Sequence, residues 1–142
     1  MRSKLFAYNT KMNKLASKVP AISNFVFSNA VTSSLLKKMN GVAPERSLPL
    51  VSKSSLNKLK KRKQTTAHAI KSIYLFVDEF TDYLDAQIAF DTYDLLTALN
   101  YKVLFVNHEE SGRTFISKGF LEQAKKVATK NIASFKGKIS EE

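Results

Sequence analysis

Two short runs of β-branched and aromatic residues, 72–77 and 102–106, flank a stretch patterned as a helix. The first holds Ile73-Tyr74-Leu75-Phe76-Val77 and the second Val103-Leu104-Phe105-Val106. Runs apolar at every position predict strands covered on both faces, as in a parallel sheet. Between them, after the polar stretch 78–85, Leu84, Ile88, Leu95 and Leu99 form a helical stripe that Asp82 or Asp85 can cap. A last helix follows, with Phe120, Leu121, Ala124, Val127, Ala128, Ile132 and Phe135 on one face. The order β-α-β-α implies a right-handed crossover and a parallel strand pair. The fold class is therefore α/β, a helical N-terminal segment followed by a βαβα unit with an incomplete sheet. Two parallel strands leave both edges open, so further strands are expected from another chain, a dimer or the rest of a longer polypeptide.

The first half reads as helices. From Leu5, the apolar positions Tyr8, Met12, Leu15 and Val19 recur at three- and four-residue steps among Lys4, Lys11, Lys14 and Lys18, which predicts one amphipathic helix. Pro20 suits the first turn of a second, with Ile22, Phe25 and Val26 on its apolar face. Val31, Leu35, Leu36 and Met39 continue at helical spacing until Asn40-Gly41 supplies a stop. Residues 41–49, with Pro44 and Pro49, read as an extended connector. Leu56 and Leu59 sit among Lys58, Lys60, Lys61, Arg62 and Lys63, a short basic helix or tether. Charge divides the chain at the same place. Residues 1–71 hold 15 Lys/Arg against one acid, Glu45, and residues 72–142 hold 8 against 11. Two segments result, a basic helical connector over 1–71 and a partial α/β domain over 72–142, the basic one suited to an anionic partner.

Cysteine is absent, which excludes disulfides, thiolate chemistry and cysteine-ligated clusters within this chain. The longest wholly apolar run is far shorter than the roughly 20 residues of a membrane-spanning helix. A soluble, cytoplasmic protein is expected, with peripheral membrane contact left open. The run 58–63 could meet nucleic acid or an anionic membrane surface. No aromatic residues are interleaved with it, so a solvated tether is the plainer account and no specific nucleic acid is expected. The first helix has the basic, acid-free look of an organelle presequence, although one Arg among lysines is atypical.

Two polar stretches follow the strands, where open α/β sheets bind ligands. Asp78-Glu79-Phe80-Thr81-Asp82 could hold magnesium for phosphoryl transfer, or simply cap the next helix. In Asn107-His108-Glu109-Glu110-Ser111-Gly112-Arg113, Gly112 could admit a ligand to the backbone while Arg113 and Ser111 bind an anion. Equally, Gly112 serves a tight turn and Arg113 pairs with a nearby carboxylate. His108 and His68 do not amount to a metal site.

Residues 75–135 resemble the first half of the cysteine-rich "CCG" domain of heterodisulfide reductase-like proteins and of FAD-linked oxidases of the glycolate oxidase and D-lactate dehydrogenase type. The likeness is carried by Asp78 with Phe80 and Thr81, the Gly112-Arg113 turn, and Ser117-Lys118-Gly119 opening the last helix. Residues 20–56, with Gly41, Pro44-Glu45-Arg46 and Pro49, are similar to the segment that joins a ferredoxin-like domain to the cysteine-rich domain in fused members. Where that family reads Cys-Cys-Gly, this chain has Glu110-Ser111-Gly112, and Glu79 stands near the cysteine that many members carry after the first strand. No cluster can be ligated at those positions.

The resemblance implies a fragment of a flavin- and iron–sulfur-containing oxidoreductase of small 2-hydroxy acids, inactive alone. FAD and 4Fe-4S clusters belong to its full-length relatives, and its partners are the remaining domains or subunits of the parent enzyme. The other readings are a basic module for an anionic partner such as nucleic acid, and a magnesium-dependent phosphoryl-transfer domain using Asp78. One geometric expectation follows from the crossover. Asp78, Gly112 and Arg113 meet at the carboxyl ends of the two strands, with Arg113 neutralising Asp78 or Glu79.

Overall fold

The crossover forms, but the sheet it builds is narrower than the apolar runs imply. The computed structural model describes residues 2–64 and 69–139, so His68 lies outside them. Strand β1 (Lys71–Tyr74) pairs in parallel with β2 (Tyr101–Leu104), in the register Ile73 opposite Val103. No third strand joins them among the described residues. Each strand has four residues, although Leu75 N still donates to Leu104 O at 2.9 Å. The arrangement is helix-dominated, with an open two-stranded parallel sheet.

The expectation of strands buried on both faces is corrected by the packing. Ile73, Leu75, Val77, Val103 and Phe105 join Leu59, Ala89 and Tyr93 in one core. That face is covered by α5 (Ser55–Leu59) and α7 (Ala86–Ala98). The opposite face, bearing Tyr74 and Phe76, meets Phe135 from the end of α9 (Leu121–Phe135), with ring centroids 6.4 and 6.1 Å away. Phe76 consequently remains exposed and Tyr74 half-buried. Apolar residues on both faces therefore record more cover than these helices supply.

The first helix also departs from its expected course. In place of one helix from Leu5 to Val19, α1 (Arg2–Ala7) and α2 (Asn9–Ala16) are separated at Tyr8. The break turns Tyr8 edge-on to Phe115 and Phe120, at 5.1 and 6.3 Å. Together with Ala7, Ala124 and Val127 these form a second core, in which Thr114 Oγ1 donates to Ala7 O at 3.1 Å. Helices α3 (Pro20–Ser28) and α4 (Ala30–Asn40) fall where Pro20 and the Asn40-Gly41 stop place them. Asn29 Oδ1 caps α4, and Gly41 ends it in the left-handed conformation at φ 61°. Both cores join residues from the basic half to residues of the α/β half.

Two short helices occupy stretches read as loops, α6 (Glu79–Tyr83) after β1 and α8 (Arg113–Ser117) after β2. Their first residues face the carboxyl edge of the sheet. Among the described residues no helix is long and apolar enough to cross a membrane.

Candidate functional site

At the carboxyl edge, Asp78 leaves the strand in extended backbone and begins α6. Its Oδ1 accepts from Phe80 N at 3.1 Å, Thr81 N at 2.9 Å and Thr81 Oγ1 at 2.8 Å. Its Oδ2 pairs with Arg113 Nη2 at 2.7 Å. The Arg113 guanidinium also lies over the Phe80 ring, 4.1 Å from its centroid, so one cation joins both loops through charge and through a ring face. The expected meeting of Asp78 with Arg113 is thus present.

Glu79 does something the sequence did not suggest. Its carboxylate is buried and lies flat against Ser111, with Oε2 accepting from Ser111 N and Oε1 from Ser111 Oγ, both at 2.8 Å. Ser111 Oγ in turn accepts from Arg113 N at 3.3 Å. Asp82, expected to cap the helix after it, instead reaches back to α5. Its Oδ1 accepts from Ser54 Oγ at 2.7 Å and Leu56 N at 2.9 Å, while Asp85 precedes α7 without a side-chain capping bond. The turn of α6 rotates Asp82 away from α7 and toward the first turn of α5.

Gly112 precedes α8 in the left-handed conformation at φ 81°. A Cβ there would meet Val127 Cγ1 at 3.7 Å and Ala124 Cα at 3.8 Å, which are ordinary contacts. The backbone conformation, not lack of space, therefore calls for glycine here.

Glu110 turns toward the N-terminal helices, where Thr10 Oγ1 donates to its Oε2 at 2.6 Å. Burial pushes its carboxyl above the usual range; the Thr10 bond opposes this, and the charges of Glu79 and Glu109 add to it. Asn131 on α9 holds the same loop by its backbone, accepting from Glu109 N at 2.8 Å and donating to Glu110 O at 2.9 Å. Neither Thr10 nor Asn131 was legible as a site residue, since each lies far along the chain in an ordinary helical pattern. His108 stacks on Phe76 with ring centroids 4.0 Å apart.

These contacts enclose a cleft of about 370 Å³ lined by Lys11, Lys14, Lys60, Glu79, His108 and Glu110. The acids of α6 are each engaged: Asp78 by a cation and a helix start, Glu79 by Ser111, Asp82 by α5. No group of three or more His, Asp or Glu among the described residues is arranged to hold a metal ion. The Glu110 carboxylate and Ser111 hydroxyl are poor donors for iron–sulfur chemistry and already hold Thr10 and Glu79. These residues do not fit a cluster.

Comparison with family models, with curated proteins and with solved structures finds no match for this chain.

Proposed function

We propose that this chain is a non-catalytic, scaffolding piece of a flavin- and iron–sulfur-containing oxidoreductase of the FAD-linked 2-hydroxy acid type. The observation that carries the reading is the latch at the carboxyl edge. Asp78, Glu79, Glu110, Ser111, Gly112 and Arg113, the positions at which the chain resembles and departs from the cysteine-rich domain, lie there; Asp78 is turned on Arg113 and Glu79 on Ser111, while Glu110 is held by Thr10. In this reading carboxylate–hydroxyl and ion-pair contacts hold the two loops where cysteine-bearing relatives hold a redox centre. FAD and 4Fe-4S clusters are supplied by other domains of the parent enzyme, which are also the partners. The chain works in the cytoplasm, on or off a membrane surface.

The test is to tag the coding region at its own locus and recover the product from cells. The expected product is part of a larger assembly with flavin absorbance, stoichiometric iron and 2-hydroxy acid-dependent dye reduction. Recovery of a free 16.0 kDa chain with none of the three would overturn the reading.

A further inference from the structure

On the edge of β2 that faces away from β1, a side chain does the work of a missing strand. Gln64 Nε2 donates to Val103 O at 2.7 Å, and Val103 N donates to Gln64 Oε1 at 2.9 Å. A primary amide that gives and takes one hydrogen bond with the same residue reproduces the pairing of a peptide group in a sheet ladder. Val103 is the most deeply buried residue of either strand, so its N–H and C=O would be costly to leave unmet. One residue pair on, the Phe105 peptide groups have no hydrogen-bond partner among the described residues. A cleft of about 670 Å³ runs along this edge past Gln64, Val103 and Phe105. Its rim is basic: Lys60, Arg62 and Lys138 line it and no acid does. Arg62 is paired with Asp94, but Lys60 meets the neutral Asn107 Oδ1 and Lys138 the neutral Ser134 O.

We infer that the outer edge of β2 is a docking site for an extended segment of polypeptide from outside this chain, apolar at alternate positions and acidic at its flanks, which displaces the Gln64 amide from Val103 and continues the sheet. The inference goes beyond the oxidoreductase reading and does not depend on it. A strand supplies the ladder bonds that Gln64 imitates and meets the unpaired Phe105 groups, and its alternate side chains enter the cleft. Acidic flanks answer Lys60 and Lys138. A second copy of this chain would bring its own basic rim to the same edge, in a molecule already carrying a net charge of +11, so self-pairing is disfavoured.

The test uses the whole chain and a fluorescent synthetic peptide of alternating valine and threonine flanked by glutamates, followed by anisotropy. The peptide is expected to bind, and the same peptide N-methylated at its central amide is not, because it can no longer donate to Val103 O. Gln64→Ala should tighten binding about tenfold, since nothing then has to be displaced. Lys138→Glu should weaken it and favour a lysine-flanked peptide. Equal binding of the N-methylated peptide, no binding of either, or a Gln64→Ala chain that dimerises without taking up peptide would each overturn the inference. The N-methyl comparison is made on the unaltered chain and stands even where a variant fails to fold.

Discussion

Asp78 and Arg113 form one ion pair, yet the two residues do not carry equal weight. Removing Arg113 deletes a half-exposed cation whose pairing is worth about 0.2–1 kcal/mol. Asp78 remains as the cap of α6, with three donors on Oδ1. Removing Asp78 loses the pair and the cap together, and a lost cap alone costs about 1 kcal/mol. Asp78→Ala should therefore lower the denaturation midpoint more than Arg113→Ala, and the Arg113→Ala effect should shrink at high salt. Equal effects in urea titrations would mean that Asp78 acts through the pair alone. Glu110 makes a pH prediction. Its carboxyl is raised by burial, so its protonated form is favoured in the folded state; the stability this contributes is present below the ordinary glutamate range and lost as pH rises through the raised value. Glu110→Gln keeps an acceptor for Thr10 and abolishes the titration. It should be more stable than the parent at neutral pH, with the gain disappearing in acid. A constant difference across a pH series of melts would rule out this role for Glu110.

Short elements here are made by single side chains rather than by pattern. Helix α5 has five residues, too few to persist by its own cooperativity, and it starts where Asp82 accepts from Ser54 Oγ and Leu56 N. Leu59 at its end is 1% exposed and anchors it to the core. Asp82→Ala should leave the Leu56 N–H unmet and loosen the helix, so that trypsin cuts within 58–63 much faster, while Asp82→Asn, which keeps an acceptor oxygen, should stay near the parent rate. Unchanged digestion of Asp82→Ala would show that Leu59 alone fixes the segment. The same cause explains what could be read from the sequence. Helices α3 and α4 follow from periodicity with Pro20 and Gly41 at their ends. Helices α7 and α9 lie where apolar spacing placed them, but α7 buries Ala89 and Tyr93, and the expected stripe of Ile88, Leu95 and Leu99 is exposed. Helices α6 and α8 do not follow from periodicity, because Asp78 and Gly112 each start only one turn. The α1–α2 break was hidden because Tyr8 fits the helical stripe and leaves it only to reach Phe115 and Phe120. The Asp78–Arg113 pair was legible from crossover geometry. The Glu79–Ser111 contact was not, since which loop or helix each of the three acids meets is decided by a helix the sequence did not announce.

At the scale of the whole molecule, the sheet and the N-terminal helices are both short of apolar cover. Leu15, Ile22 and Phe25 are each 66% exposed, Val31 78% and Met39 73%, a concentration of large apolar side chains on α2, α3 and α4 beyond what scattered surface residues account for. Tyr74 meets the end of α9 and Phe76 meets His108 and the end of α9, and no third strand lies along either sheet edge among the described residues. Each deficit weakens cooperativity in the same direction. Two strands with a single well-packed face bury too little to outweigh backbone ordering, and apolar helices with no neighbour favour dye binding and association over a unique packing. The two small cores nevertheless link both halves, Ala7 to Phe115 and Leu59 to Val103, so the helical segment should not melt as a separate unit. The isolated chain should therefore bind an apolar-sensitive dye in its native buffer, sediment as a concentration-dependent mixture and lose helical and near-ultraviolet signals together over a broad temperature range. Lowering the ionic strength should reduce association by letting the positive charges repel. A dye-silent monomer with a sharp calorimetric transition would mean that these helices and two strands cover themselves, and that no outside segment is required to complete the fold.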